Sequence, residues 1–242
     1  MLANLQISPE AGSLEPKVHL PGTARYALLD FIAEELPRWR DHPDRTPETA
    51  EAALTDQLCD HLNSAARTAA GWNRVQFRTE IPDKTEGRRT IDLAAKPSGA
   101  VLIIQGRQYT QFNIILPIEC KRLPTPKEQG RDEREYVATP VGPKGGMRGG
   151  IQRFKFGHHG ARHCVAGMIA YVQEQPPAYW LDRVNGWIGD LARESNSGWS
   201  AQDALRTPED DPVAGVRRLR SRHERQGKLE EIEIRHLWIN MH

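Results

Sequence analysis

The chain has 242 residues, 38% hydrophobic and 27% charged, a balance that suits a folded protein with one substantial core, or a core with appendages, better than a disordered chain. Net charge is only +1, so the overall balance does not announce a polyanionic partner. Three widely spaced cysteines (Cys59, Cys120 and Cys164) without a CxxC pattern argue against a disulfide framework, and no run approaches the ~18–20 apolar residues of a membrane span. The first residues, MLANLQISPEAGSLEPK, lack a basic segment followed by an apolar run, so no secretory leader is expected and a soluble cytoplasmic protein is.

Residues 1–21 read as an irregular N-terminal arm, and 22–242 as a single domain. Residues 23–40 carry helical apolar spacing at Leu28, Phe31, Ile32 and Leu36. After a loop at 41–47, a second helix is predicted from Glu48 to Ala69, stopped by Gly71. Strand-like runs follow at 74–80, 88–96, 101–105 and 111–121. Residues 122–150, ending in GPKGGMRGG, read as one long mobile loop. A short helix is predicted near Gly150, a buried strand at 164–173, a helix at 178–194 and a hairpin around Gln226-Gly227 within 213–241. The core is expected at about 48–173, with 174–242 as a helical and β-hairpin extension. This order predicts an α/β fold, a mixed sheet flanked by helices.

Charge is unevenly spread. Residues 28–60 hold nine Asp and Glu against three Arg, whereas 121–155 hold nine Lys and Arg against four acidic residues. A basic surplus of that size suits either a solvated loop or a phosphate backbone.

Three segments place carboxylates together. In RRTIDLAAK, alternation sends Ile91 and Leu93 to one face of a strand and Asp92 to the other. In FNIILPIECKRLP, an apolar strand ends on Glu119 and Lys121, which share a face roughly 6.5–7 Å apart. A carboxylate and an ammonium at the end of a buried strand must pair, coordinate or titrate abnormally. In the helix ETAEAALTDQLCDHL, Glu51 falls within the stripe of Leu54, Leu58 and Leu62, where a first-turn acid also suits the helix dipole. Each alone is compatible with ordinary surface or strand-end pairing. Together they predict a divalent-cation site, because Mg²⁺ takes hard oxygen ligands and retains several waters.

Asp92 in TIDLAAK followed by Glu119-Cys120-Lys121 in PIECKRL resembles the PD-(D/E)XK nuclease superfamily, the restriction-endonuclease-like fold. Ile91 stands where the family pattern has proline. Asp92 and Glu119 lie 27 positions apart, a spacing that an inserted strand or hairpin at about 98–110 would explain. The resemblance covers about residues 48–173. It implies a metal-dependent endonuclease acting on phosphodiester bonds, by analogy those of DNA, in restriction, phage defence or DNA processing. It further implies Mg²⁺, with Mn²⁺ as substitute, held by Asp92, Glu119, the Cys120 backbone carbonyl and Glu51. Lys121 would orient the attacking water, and Gln152 would reach the site from the GIQRF helix. Arg122, Lys127, Lys144, Arg148, Arg153 and Lys155 are the candidates for phosphate contact.

Other chemistries fit less well. His158, His159, His163 and Cys164 offer zinc-type ligands, but no second ligand pair with zinc spacing follows and the HExxH glutamate is absent, so ordinary helix-end histidines are expected. The alternative function is a catalytically silent nucleic-acid-binding module or a partner-dependent subunit. The apolar faces at 180–191 and in IEIRHLWINM are rich enough either to serve the core or to bury a homodimer interface.

Overall fold

The computed structural model describes residues 23–83, 89–99, 101–126, 131–139, 149–207 and 215–242. Two helices open the chain, α1 (Thr23–Arg40) and α2 (Glu51–Thr68). They are followed by β1 (Val75–Pro82), β2 (Thr90–Pro97), the short β3 (Leu102–Ile104) and β4 (Arg107–Tyr109), and β5 (Leu116–Leu123). A 3-10 turn at Glu133–Tyr136 precedes α3 (Gly150–Lys155), β6 (Val165–Val172) and α4 (Pro177–Arg193). A second 3-10 turn (Ala201–Asp203), β7 (Val216–His223) and β8 (Ile232–Asn240) complete it.

Six strands form one mixed sheet in the order β1-β2-β5-β6-β8-β7. The β1/β2, β2/β5 and β7/β8 pairs are antiparallel, while β5/β6 and β6/β8 are parallel. Parallel neighbours need crossover connections, which α3 and α4 supply. Period-two alternation decides which side chains meet which layer. Leu116, Ile118 and Cys120 of β5 join the cluster under α1 and α2, whereas Leu123 joins the one under α3 and α4. The result is a three-layer α/β/α sandwich. Leu54, Leu58 and Leu62 are fully buried, each contributing roughly 1.5–3 kcal/mol by burial.

Several boundaries differ from expectation for local reasons. Helix α2 starts at Glu51 rather than Glu48. The carbonyls of Thr46 and Thr49 accept instead from the side chains of Gln57 (3.0 Å) and Gln173 (2.9 Å), holding the approach extended. The strand expected over 111–121 starts only at Leu116, because the Asn113 side chain closes a turn on Thr110 (2.8 Å). The long spacing between Asp92 and Glu119 is taken up by the β3/β4 hairpin, which stays outside the main sheet. Its turn residues, Gln105 and Gly106, have φ of 52° and 73°, the left-handed pair a tight hairpin turn requires.

Residues 122–150 are not one long mobile loop. Tyr136 and Val137 within them are fully buried in the core under α4. The C-terminal hairpin extends the same sheet, with β8 paired to β6 and β7 at its edge. The apolar residues that suggested a dimer interface are used inside one chain. Trp180, Val184 and Ile188 of α4 and Trp238 of β8 are all buried in the same cluster. Among the described residues no helix is long and apolar enough to cross a membrane. The expected N-terminal arm, and Lys127, Lys144 and Arg148, lie outside the described residues.

Candidate active site

The site forms where β2 leaves β5. Their ladder runs only from Ala95↔Leu116 to Leu93↔Ile118, so among the described residues the facing edge of β5 has no strand partner beyond Ile118. Backbone groups there must be satisfied by other means. Asp92, one residue before the last ladder pair, accepts the Cys120 N–H through Oδ2 at 2.9 Å. Glu51, at the start of α2, accepts the next N–H on that edge, from Arg122, at 3.1 Å. Two carboxylates therefore stand in for the missing strand.

Lys121 completes the cluster. Its Nζ lies 3.1 Å from Glu119 Oε1, 3.2 Å from Asp92 Oδ2 and 3.3 Å from Glu51 Oε1, and donates to the Cys120 carbonyl at 2.8 Å. Asp92 and Glu51 keep about a quarter and a fifth of their side chains exposed, while Glu119 has none and Lys121 about 4%. Solvent therefore reaches the cluster past Asp92 and Glu51, with Glu119 at its floor. The Cys120 thiol is fully buried on the opposite face, so this residue reaches the site only through its backbone.

Glu119 is held from a third side. Arg153 NH1 donates to its Oε1, and His159 Nδ1 lies 3.2 Å from its Oε2. The two carboxylates on neighbouring strands are thereby driven apart in acidity. Burial, then the Glu119 charge, push the Asp92 carboxyl up to about 6 against the pull of Lys121. Burial works the same way on Glu119, but Lys121, the His159 hydrogen bond and Arg153 outweigh it and hold that carboxyl well below the usual range. Burial disfavours the Lys121 ammonium, yet Glu119, Asp92 and Glu51 hold its pKa well above the ordinary value.

Asp92, Glu119, Lys121, Glu51 and the Cys120 carbonyl are thus brought together. Gln152 is not among them. Its amide is used on the backbone of the preceding segment, accepting from Thr139 N–H at 3.1 Å and Gly149 N–H at 3.3 Å. The GIQRF helix reaches the carboxylates through the next residue, Arg153. Lys155 turns the other way and is buried, 2.9 Å from Asp203 Oδ1, which removes it as a phosphate contact. Arg122 directs its guanidinium to Gln173 Oε1 at 2.7 Å. Sequence reasoning missed Arg131, which lies 3.6 Å from Glu51 and pairs with Glu135. It also missed the pairing of Arg153 and His159 with Glu119, contacts for which the sequence carries no local signal.

Asp92, Glu119, Glu51 and the Cys120 carbonyl present hard oxygen donors around one point, the donor class that Mg²⁺ and Mn²⁺ take. Among the described residues, however, no group of three or more His, Cys, Asp or Glu side chains closes on an open cation position. Lys121 Nζ stands where the oxygens converge. The histidines at 158–163 do not gather as zinc ligands either. His159 faces Glu119, and His163 keeps a buried Nδ1 without a hydrogen-bond partner.

A second polar cluster lies under β7. Ser221 Oγ is 2.7 Å from His223 Nε2, and His223 Nδ1 is 2.7 Å from Asp203 Oδ1, the connectivity of a nucleophile, base and acid. Yet Ser221 is also 2.8 Å from His236 Nε2, and the same Asp203 oxygen carries the Lys155 ammonium. The chain continues through His236 Nδ1 to Tyr136 (2.8 Å) and from Trp238 Nε1 to that hydroxyl (2.7 Å). One tautomer assignment satisfies every member: Trp238 donates to Tyr136, Tyr136 to His236, His236 to Ser221, Ser221 to His223 and His223 to Asp203. A fully satisfied buried relay of this kind fixes packing. Compared with protein-family models, curated proteins and solved structures, the chain has no match.

Proposed function

We propose that the protein is a divalent-metal-dependent nuclease of the PD-(D/E)XK, restriction-endonuclease-like type, hydrolysing phosphodiester bonds, with DNA as substrate. What carries this reading is the convergence of Asp92, Glu119, Glu51 and the Cys120 carbonyl on Lys121 Nζ, all within 3.3 Å, at the notch between two central strands. The topology supports it. A mixed sheet with helices, in which β1, β2 and β5 are antiparallel neighbours and β6 follows in parallel after α3, is compatible with the mixed sheet flanked by helices that the resemblance implies.

Asp92, Glu119, the Cys120 carbonyl and Glu51 would hold Mg²⁺, or Mn²⁺ in its place. Bound there, the metal supplies Lewis acidity and a water of lowered pKa. The chain's own groups do the rest. Asp92 and Glu51 face solvent, the side from which a phosphate enters. Lys121 holds an ammonium just inside that mouth, within 3.3 Å of both acids, where it would orient water and offset charge growing on the phosphate oxygens. Arg153 and His159 keep Glu119 ionised and fixed. Arg122, whose N–H borders the notch, is the candidate for backbone contacts there, and Lys127, Lys144 and Arg148 remain candidates from the sequence alone.

The test is cleavage of supercoiled plasmid, linear duplex, single-stranded DNA and RNA with Mg²⁺, Mn²⁺ or EDTA, beside Asp92→Ala and Lys121→Ala. We expect metal-dependent cutting that falls on the order of 10²–10⁴-fold in each variant. A second reading, a silent nucleic-acid-binding module, is favoured by one observation: Glu119 is fully buried with both oxygens already bonded. Folded wild-type protein that binds nucleic acid but cuts none of these substrates decides for that reading.

A further inference from the structure

The cluster carries cations of its own without a metal, although one of them, Arg131, has Glu135 as its closer partner. Its three carboxylates, Glu51, Asp92 and Glu119, face three permanent cations of the chain itself. Lys121 contacts all three acids, Arg153 contacts Glu119, and Arg131 lies 3.6 Å from Glu51. These cations are not equivalent. Arg131 and Arg153 sit on the outer side of one carboxylate each, but Lys121 Nζ lies at the common centre, within 3.3 Å of the three acids and of the Cys120 carbonyl.

A magnesium-sized ion needs that same centre, with oxygens drawn in to about 2.0–2.1 Å. An ammonium and a divalent cation cannot share it, for reasons of volume and of like charge. Glu119 cannot go elsewhere to meet a metal, because Arg153, His159 and complete burial hold it at the floor of the notch. Lys121 can move: though nearly buried, its flexible four-carbon side chain can swing past Asp92 and Glu51, the side from which solvent reaches the cluster.

We infer that Lys121 is the resident counter-ion of this centre, and that a divalent cation binds only by displacing its ammonium toward the substrate side. The inference rests on the proposed reading of the cluster as a metal centre and adds how its occupancy is controlled. Lys121 holds the metal-free site closed, lowers its affinity for metal, and is delivered to the phosphate side when metal enters. The residue needed for turnover is thus also the metal's competitor.

The experiment is Mn²⁺ binding to the full-length protein, without nucleic acid, followed by the spectroscopic signal of free Mn²⁺ and by calorimetry. Wild type, Lys121→Met and a control, Lys228→Met on an exposed residue outside the cluster, are compared at one ionic strength. The expected result is a dissociation constant at least tenfold lower for Lys121→Met and unchanged within about twofold for Lys228→Met, as for a neutral substitution screened from the site. The Mn²⁺-induced rise in melting temperature should also be larger in Lys121→Met than in wild type. A merely structural role for Lys121 would weaken binding instead. Should Lys121→Met fail to fold, Lys121→Gln, which keeps a donor for the Cys120 carbonyl, gives the same comparison. Equal or weaker binding by the Lys121 variants, with wild type binding Mn²⁺, overturns the inference and leaves the metal centre standing. No binding by any of them at millimolar Mn²⁺ overturns both.

Discussion

At the scale of single residues, the chain handles two kinds of buried charge differently. Around Glu119 the acids outnumber what one lysine can offset, and arginines from distant segments make up the difference. Around Asp203 the arrangement is closed. Its Oδ1 takes Lys155 and His223, and its Oδ2 accepts the Ser200 backbone N–H at 2.7 Å. Removing one partner of a buried pair leaves the other uncompensated, which costs about 3–5 kcal/mol. Asp203→Ala is therefore expected to destabilise the fold by about that amount, read as a lower urea midpoint at unchanged slope. A loss below about 0.5 kcal/mol would mean that the Lys155 ammonium finds water in the cavity of about 380 Å³ beside Asp203 and Ser221.

At the scale of elements, α3 is the hinge of the site. Six residues long, it carries Arg153 to Glu119 and Lys155 to Asp203, tying the two polar clusters through one short helix. Its start must pass very close to the segment after the 3-10 turn. A Cβ on Gly149 would sit 2.2 Å from Ala138 Cα and 2.6 Å from the Val137 carbonyl oxygen, both backbone atoms that cannot swing aside. Gly149→Ala is expected to cost about 1–3 kcal/mol by overpacking. It should also lower cleavage, because the helix that orients Arg153 must shift. Thermal unfolding beside the plasmid assay checks both, and a variant with wild-type melting and rate would show that the segment relaxes freely. The strands themselves were largely readable from alternation. The unexpected start of β5 came from one asparagine that closes a turn on Thr110, a side-chain event that apolar patterning does not register.

At the scale of the whole molecule, buried histidines govern the response to acid. Burial, then Arg25 and Arg107, hold the His163 imidazole down at about 4, against Asp83. Burial lowers His223 despite its hydrogen bond to Asp203, and burial, then His223, put His236 well below the ordinary value. In the unfolded chain such groups take up protons near 6.5. Between about 4 and 6.5 the unfolded state therefore binds more protons, so stability is fully present above that window and falls as pH drops through it. Asp92 runs the opposite way. Raised to about 6, it binds its proton more readily folded than unfolded, and partly offsets the loss in metal-free protein. Urea midpoints measured from pH 7.5 to 4.5 should fall toward acid, and more steeply in Asp92→Asn. A flat profile would mean that these imidazoles protonate in place.

What the sequence determined by itself was local and periodic. Two-residue alternation put Glu119 and Lys121 on one face of a buried strand and Asp92 on the polar face of another, and helical spacing put Glu51 within the apolar stripe of α2. These follow from backbone geometry within a few residues; that the three segments meet was expected from them jointly and from the family resemblance. Tertiary structure decided the rest, because the partners come from far along the chain. Arg153 and His159 meet Glu119 across 34 and 40 positions, and the buried Lys155 finds Asp203 across 48. No local pattern separates such residues from ordinary surface cations; only the packing of α3 against β5 does. The central place of Lys121 was equally invisible. It depends on where β2 parts from β5, since the N–H and C=O groups freed there are what draw Asp92, Glu51 and the ammonium to a single point.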